Sequence, residues 1–390
     1  MKIFKTLFFA IIGIQIGWAD PYIIRDNFSE LDGSIFFDRH LKGCEISDFD
    51  EILLQDTSSS ASIKISLKDG RINFSVSNWE NFYLLVGIFD QFYRRGWRNV
   101  KLQDVSEYKN YDYVEIFEGV LFINVNASWI LANFALEALN MDLDLKGLNF
   151  RCLRDEYFIE KLISSLEECT LEIEKVELFD ISDISVFCNA LSRNFDLREF
   201  SLTSCLGCDL QPVAELLKTS FIRKLSITEG DLDDRRLMPL IDALRKNKTI
   251  EELNLSSNHI GDEGARMLAD LLRENSNIKK LSLVGYELKD DEGNFIGNFG
   301  ALYFTNVLTV ENHTLEELNL CRNEDINDKV KTTIKMLMML GFIQANVILD
   351  ACESEDSSDL KVLTQSSDQQ EVLLDMYPSK KQKLCNIWDK

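Results

Sequence analysis

Proline and glycine are scarce in this sequence, with four and 18 copies respectively among 390 residues. Disordered chains and linker-dominated chains are rich in both, so their scarcity argues against either class. Hydrophobic residues make up 45% of the chain, which is enough for a large core. The length corresponds to about two ordinary domains or to one long repeat array.

Positive charge is also in short supply. There are 42 Lys and Arg residues against 65 Asp and Glu residues, which gives a formal net charge of −23 at pH 7. Phosphate backbones repel such a chain, which argues against nucleic acid as a direct partner. The same charge favours solubility and attracts partner proteins with a basic surface patch.

The sequence lacks the motifs of common catalytic and cofactor sites. It contains no phosphate-binding loop, no nucleophile elbow and no HExxH zinc motif. Its histidines are His40, His259 and His313, and none accompanies a recognisable nucleophile motif. We therefore expect no metal and no cofactor, and we lean towards a non-catalytic protein. An enzyme active site within residues 20–130 stays open as the alternative.

Long hydrophobic runs are absent except at the N-terminus. Lys2 and Lys5 precede an apolar run over residues 7–18, and Gly17 and Ala19 supply the small residues of a cleavage site. This layout predicts a secretory signal peptide over residues 1–19 and export, including delivery into a host cell. The alternative is an apolar cap on the fold, which would leave the protein cytoplasmic. We expect no stable membrane span after signal removal.

Cysteine usage and glycosylation motifs bear on the same question. The nine cysteines follow no regular framework, which fits poorly with long residence in an oxidising compartment. Passage through one membrane into a reducing cytosol would reconcile the two signals, and so would a start that is not a signal. Six Asn-x-Ser/Thr sequons occur, at Asn27, Asn73, Asn126, Asn247, Asn254 and Asn312.

The second half of the sequence repeats. The pattern Ile250-x-x-Leu253-x-Leu255-x-x-Asn258 recurs with first positions at Ile173, Leu197, Ile222, Ile278 and Leu315, in steps of 24, 25, 28, 28 and 37 residues. This is the leucine-rich-repeat signature, whose period is about 20 to 29 residues. The fourth and sixth positions share one face of a strand. Segments such as DEGARMLADLLRENSN then place apolar residues at helical spacing.

A single repeat cannot bury its apolar face alone, so repeats stack. The sequence therefore predicts an α/β fold, a leucine-rich-repeat solenoid or horseshoe with a parallel concave sheet and outer helices. We assign residues 131–350 to this solenoid and residues 351–390 to an acidic, disordered tail. The tail contains PSKKQK, whose role as a targeting signal stays open.

Residues 20–130 are predicted to form an irregular N-terminal section, either degenerate repeats or a small α+β domain. The spacing of apolar residues predicts strands around residues 97–105 and 136–141. It also predicts a helix over NWENFYLLVGIFDQFY.

The 28-residue steps and the phrase NKTIEELNLSSNHIGDEGARMLADLL resemble the ribonuclease-inhibitor type of leucine-rich repeat over residues 170–345. The resemblance implies a curved binding scaffold rather than an enzyme. In overall style the chain is similar to bacterial effector-like members, which implies action on the proteins of a host cell. Similarity to tropomodulin-like and Ran-GTPase-activating proteins implies, as the alternative, an actin- or small-GTPase-regulating module. We expect a monomer.

Two strand positions supply the outward side chains of the predicted concave face. The third positions alternate in sign, in the order Lys175, Glu199, Lys224, Glu252, Lys280 and Glu317. The fifth positions are mostly small and polar, in the order Glu177, Ser201, Ser226, Asn254, Ser282 and Asn319. Opposite charges on adjacent strands contribute about 0.2–1 kcal/mol per pair, so one interpretation is a self-neutralising ladder. The other is a docking face for a partner protein, made of Glu252, Asn254, Lys280, Ser282, Glu317 and Asn319.

The 37-residue step contains extra residues. Aligning Ala265 with Ala301 places about nine of them in KDDEGNFIGNFG, between strand and helix. Insertions in repeat proteins form loops that often bind partners, and exposed aromatics are frequent interface anchors. Phe295 and Phe299 are therefore candidate binding residues, and the alternative is that they cover the edge of the fold.

Cys205 and Cys208 have the spacing of redox and zinc motifs. A zinc site needs four ligands, and no second pair or nearby histidine is present in the sequence. Cys205 also occupies the ninth repeat position, which accepts Cys or Asn. We therefore interpret the pair as structural, and His259 and His313 as loop residues.

Overall fold

The computed structural model describes residues 22–26, 40–41, 51–57, 59–68, 71–77, 82–105, 112–141, 143–168, 171–194, 196–285 and 293–350. The predicted signal peptide and the predicted tail with its lysine cluster lie outside these residues. Within the described part, no helix has the length and apolar character needed to cross a bilayer.

The chain divides into two compact units, Met1–Ile181 with Ala190–Asp196, and Ser182–Asn189 with Leu197–Lys390. The domain boundaries expected at residues 19, 130 and 350 stay predictions.

In the described part of the first unit, nine strands pair in chain order. They are β1 (Tyr22–Asp26), β2 (Glu51–Asp56), β3 (Ser62–Lys68), β4 (Arg71–Ser77), β5 (Asn99–Asp104), β6 (Tyr113–Phe117), β7 (Val120–Asn124), β8 (Gly147–Arg151) and β9 (Lys175–Phe179). The helices among its described residues are α1 (Phe82–Arg94), α2 (Trp129–Asn140) and α3 (Glu156–Glu168). Helix α4 (Ser185–Asn194) is divided between the two units.

The irregularity predicted for the N-terminal section has a definite form. Strands β2, β3 and β4 pair antiparallel, and so do β5, β6 and β7. Each three-stranded meander leads into a helix, and the strand after that helix pairs in parallel with the last strand of the meander. Alternate residues of each strand are buried, as in β4, where Ile72, Phe74 and Val76 face the core. The plan is therefore a repeat in which a meander replaces the single strand.

One predicted strand is wrong. Leu136 and Leu139 lie in α2, where Ser128 caps the helix by accepting a hydrogen bond from the Leu131 N–H at 3.4 Å. The buried residues of α2 follow helical spacing, because this segment has apolar residues at both the i+3 and i+4 positions. The strand predicted near residues 97–105 and the helix predicted before it are confirmed as β5 and α1.

The second unit alternates single strands with helices. The strands are β10 (Glu199–Thr203), β11 (Lys224–Thr228), β12 (Glu252–Asn254), β13 (Lys280–Ser282), β14 (Glu317–Asn319) and β15 (Asn346–Ile348). The helices are α5 (Gln211–Thr219), α6 (Met238–Lys246), α7 (Asp262–Glu274), α8 (Asn298–Val310) and α9 (Asp328–Met339). Each strand pairs in parallel with the next, which confirms the predicted α/β repeat.

Buried leucines and isoleucines at the first, fourth and sixth repeat positions form the core of this unit. In the repeat that begins at Ile250, that residue and Leu255 are fully buried and Leu253 is nearly so. Each such side chain contributes about 1.5–3 kcal/mol when it leaves water. Strand β15 adds a further repeat that the pattern did not match, because Gln344 stands at its first position.

Two rows of buried asparagines, which we call the asparagine rows, link successive repeats by hydrogen bonds. Asn258, Asn294 and Asn323 follow the strands, and each donates from Nδ2 to carbonyl oxygens of its own repeat and the previous one. Asn247, Asn275 and Asn312 follow the helices; each donates from Nδ2 to carbonyl oxygens of the previous repeat and accepts at Oδ1 from a backbone N–H of its own repeat. These bonds satisfy backbone groups that the turns leave unpaired.

The asparagine row that follows the strands corrects the sequence alignment of the long repeat. Tyr286 was expected at the ninth position, but Asn294 makes the ninth-position contacts. Phe295 then corresponds to His259 and Phe299 to Glu263, and Gly297 caps α8 as Gly261 caps α7. The extra residues therefore precede Asn294, and the two phenylalanines belong to the repeat itself.

Candidate protein-interaction surfaces

The third positions of the second unit form the predicted charge ladder. Strand register places Glu199, Lys224, Glu252, Lys280 and Glu317 side by side. Lys224 Nζ lies 3.2 Å from Glu199 and 3.8 Å from Glu252, and Lys280 Nζ lies 3.2 Å from Glu252. The hydrogen bond to Glu199 and the neighbouring carboxylates raise the pKa of Lys224. Charges on this face are thus largely neutralised by each other.

The fifth positions are also engaged within the face. Asn254 Nδ2 donates to Ser226 Oγ at 3.2 Å, and Asn254 Oδ1 accepts from the Ser256 N–H at 3.1 Å. Ser282 Oγ lies 2.8 Å from Ser256 Oγ, and Asn319 Oδ1 accepts from the backbone N–H two residues later. The structure brings the six predicted strand-face residues together, and several of them already have partners within the sheet.

Three buried thiols cluster in the second unit. Burial raises the pKa of Cys188 to about 12. A hydrogen bond with Cys205, and then burial, raise the pKa of Cys208. Thiolates are the reactive form of cysteine, so these environments suit structural thiols. Among the described residues, no group of His, Cys, Asp and Glu side chains is placed to hold a metal ion.

Two other clusters of polar side chains, one around His259 and one around Asp112, lie in turns. His259 Nδ1 lies 2.7 Å from Asp231 Oδ1, and the His259 N–H donates to the Leu232 carbonyl. In the first unit, Ser128 Oγ donates to the buried Asp104 carboxylate at 2.6 Å. The Asp112 carboxylate accepts three backbone N–H bonds from residues 126–128. These contacts fix the turn that begins α2.

The first unit has a broad cleft of about 1260 Å³ beside α1. Its lining contains two ion pairs, Arg94 with Asp90 at 2.7 Å and Lys146 with Glu172 at 3.7 Å. Small-molecule pockets are mostly apolar and enclosed. A wide cleft lined by charged side chains fits contact with a protein better.

Helix α8 differs in kind from its neighbour α7. The α7 sequence DEGARMLADLLRE has six charged residues, whereas the α8 sequence NFGALYFTNVLTV has none. The buried side of α8 carries Ala301 and Phe304. Its solvent side also carries apolar residues, so both sides of the helix are apolar.

The exposed apolar residues on and just before α8 form what we call the α8 stripe. Its members have exposed fractions of 53%, 73%, 39% and 50%, and they are Phe295, Phe299, Tyr303 and Val310. Phe295 packs against Gly261 so closely that a Cβ there would lie 2.6 Å from the ring. Ile296, between the two predicted phenylalanines, is fully buried. Packing against the fold thus accounts for the position of Ile296 and for the buried part of Phe295. It does not account for Phe299, which stays mostly exposed.

A second unusual surface lies on the outward face of β4 to β9 in the first unit. Four half-buried rings occupy it, from Tyr113, Phe117, Phe122 and Phe179. Cations lie over these rings: Arg71 over Phe117 at 4.7 Å, Lys101 over Tyr113 at 4.9 Å, and Arg151 over both Phe122 and Phe179 at 5.6 and 5.1 Å. We call this set the aromatic–cation face.

Comparison with known proteins supports the repeat. A family model described as a leucine-rich repeat matches residues 246–269. The chain contains a leucine-rich repeat. No curated protein is significantly similar in sequence.

Among solved structures, the actin-binding site 2 of leiomodin-1 is similar at 18% identity and a TM-score of 0.30, over 42% of this chain and 88% of that chain. A crystal structure of a Bacteroides fragilis protein is similar at 14% identity and a TM-score of 0.37, over 77% and 95% of the two chains. Leucine-rich-repeat domains generally mediate protein–protein interaction.

Sequence reasoning missed Tyr303, Val310 and the whole aromatic–cation face. The signal for the first two was present, because an uncharged helix follows a highly charged one at the same place in the repeat. The signal for the face was the aromatic residues at the outward positions of the strands YVEIF, VLFIN and KVELF, which are Tyr113, Phe117, Phe122 and Phe179.

Proposed function

We propose that this protein is a non-catalytic scaffold of the ribonuclease-inhibitor type that binds a partner protein through the α8 stripe. The observation that carries the proposal is the exposed Phe299 and Tyr303 on a helix without charge. Large exposed aromatics with a polar surround are typical of interface centres. Helix α7 supplies such a surround through Glu263, Arg266 and Asp270, which form ion pairs at its surface.

The strand face makes a weaker anchor than the stripe. A partner would have to replace the ion pairs of Glu252 with Lys224 and Lys280. An exposed ion pair contributes only about 0–1 kcal/mol of free energy. Replacing an ion pair within the face by one with the partner therefore gains even less. The net charge of −23 still favours a partner with a basic rim, because long-range attraction raises the association rate.

Export is part of the proposal. The lysines, the apolar run and the small residues of positions 1–19 support a cleaved signal, and effector-like delivery into another cell would give the thiols a reducing destination. Mass spectrometry of the exported protein tests this point. A mature N-terminus at Asp20 supports it, and an intact Met1 in the exported protein contradicts it.

Site-specific photo-crosslinking tests the binding surface. A photoreactive amino acid replaces Phe299 in one full-length variant and Glu263, its counterpart one repeat earlier, in the control. We expect a crosslinked protein from position 299 that is lost when Tyr303→Ser is added. Equal crosslinking from both positions, or none from position 299, would contradict the proposal. Crosslinked actin or a small GTPase would instead select the alternative function.

Phe299→Glu provides the matching loss-of-binding variant, since glutamate occupies the corresponding position of α7. Because Phe299 is exposed, the free energy of unfolding should change by no more than about 0.5 kcal/mol. Loss of the crosslinked partner with unchanged unfolding would assign Phe299 to binding. Lower stability together with retained binding would assign it to the fold.

A further inference from the structure

The aromatic–cation face has a charge balance unlike the charge ladder. Arg71 is compensated by Glu115 at 3.0 Å, and Glu177 accepts a hydrogen bond from Asn149 at 2.7 Å. Arg151 is different, because its Nε donates to the neutral Asn149 Oδ1 at 2.9 Å. Its other described contacts are a side-chain hydrogen bond with Tyr113 and the rings of Phe122 and Phe179. Lys101 likewise lies over a ring, without an ion pair to a carboxylate among the described residues.

These two cations are only partly hydrated, because aromatic rings cover one side of each. Arg151 lies between the rings of Phe122 and Phe179, which orients its planar guanidinium. A guanidinium held in one orientation loses less conformational freedom when it binds a carboxylate in the two-bond geometry. The exposed Lys175, on the neighbouring strand β9, adds a further positive charge to the same face. A chain with a net charge of −23 thus has a local excess of positive charge here.

We propose that the aromatic–cation face binds an acidic polypeptide segment of a partner protein. Carboxylates of that segment would pair with Arg151 and Lys101, and its apolar side chains would contact the uncovered ring edges. This surface lies in the first unit and is independent of the α8 stripe.

Single-stranded nucleic acid is the other anionic polymer that uses aromatic rings and cations. Its bases stack on open ring faces. Here cations already lie over the faces of all four rings, so a base would have to displace a guanidinium or an ammonium group. The net charge also opposes a phosphate backbone. These two observations favour carboxylates over phosphates as the ligand chemistry.

Fluorescence anisotropy with the full chain tests the proposal. The probes are a labelled peptide of alternating Glu and Leu, its Lys–Leu counterpart, and a labelled oligothymidylate. We expect the Glu–Leu peptide to bind most tightly and to weaken as salt rises. Tighter binding of the oligothymidylate would overturn the proposal in favour of nucleic acid, and tighter binding of the Lys–Leu peptide would overturn it in favour of a basic partner.

Variants locate the binding on this face. Arg151→Gln should weaken binding of the Glu–Leu peptide about tenfold, the usual size of one lost charge-assisted contact. The matched control is Lys161→Gln, which removes the same charge from another cation–ring pair, with Tyr157 on α3. Equal effects of the two variants would overturn the proposal, because they would show a response to net charge alone. Circular dichroism melting of each variant verifies that the fold is intact.

Discussion

Replacing Asn258 by alanine should destabilise the second unit strongly. The Asn258 side chain is 1% exposed. Its Nδ2 donates to the carbonyls of Ile227, Leu255 and Ser256 at 2.7, 3.0 and 3.1 Å. Its Oδ1 accepts from the N–H groups of Gly230 and Leu232 at 3.0 and 3.3 Å. The substitution leaves two buried N–H groups without this acceptor, at about 1–3 kcal/mol each. We therefore expect a loss of about 3 kcal/mol.

Urea unfolding measures the loss, and hydrogen exchange locates it. We expect faster exchange of the Gly230 and Leu232 amides. The matched control is Asn254→Ala on the partly exposed strand face, which should lower the free energy of unfolding by no more than about 1 kcal/mol. If Asn258→Ala lowers the free energy of unfolding no more than the control does, and exchange at residues 230–232 is unchanged, the stabilising role of this asparagine row is refuted.

Three further outcomes follow from described contacts. Lys224→Glu should lower stability by about 1 kcal/mol, because it places like charges on adjacent strands, and high salt should reduce the loss; a loss that salt leaves unchanged would contradict the ladder. Burial raises the pKa of Cys188 to about 12, so iodoacetamide should modify it slowly in the folded protein near neutral pH and faster as the pH approaches that value or when urea is added; rapid neutral-pH modification of the folded protein would contradict this. The Asn247 amide is buried and donates to the Leu217 carbonyl, so a glycan there is incompatible with the fold; in a glycosylating secretory host, Thr249→Ala should therefore increase the folded yield, and a folded protein that carries the glycan would refute the argument.

The second unit could be predicted because its period is short and its core positions are apolar. The pattern around Ile250, Leu253 and Leu255 fixes both the strand and the face that it buries, since side chains alternate along a strand. The charge ladder followed from the same register. The pattern failed at two points in this unit. It missed the repeat of β15, whose first position is Gln344, and it placed Tyr286 at the ninth position of the long repeat, where extra residues separate the strand from Asn294.

The first unit could be predicted only in part. The helix over NWENFYLLVGIFDQFY was evident from its spacing. The two meanders were not, because antiparallel and parallel strands share the same alternation of buried and exposed residues, and turn chemistry decides between them. Leu136 and Leu139 matched a strand pattern, yet the cap at Ser128 and apolar residues at helical spacing placed them in a helix.

The interaction surfaces were harder to predict because they depend on exposure. Phe295 and Phe299 were identified as aromatics near an insertion, but only the structure shows that Ile296 between them turns inwards. Ring–cation pairs such as Arg151 with Phe179 join residues on different strands, and the sequence gives no direct measure of that distance.

The most direct test of the proposed function compares two surfaces in one binding experiment. Once crosslinking has identified the partner, calorimetry gives its affinity for Phe299→Glu and for Lys280→Ala, which alter the α8 stripe and the strand face respectively. We predict that Phe299→Glu weakens binding at least tenfold, about 1.4 kcal/mol, while Lys280→Ala changes it less than threefold. The opposite ranking, with Lys280→Ala abolishing binding and Phe299→Glu leaving it intact, would contradict the proposal.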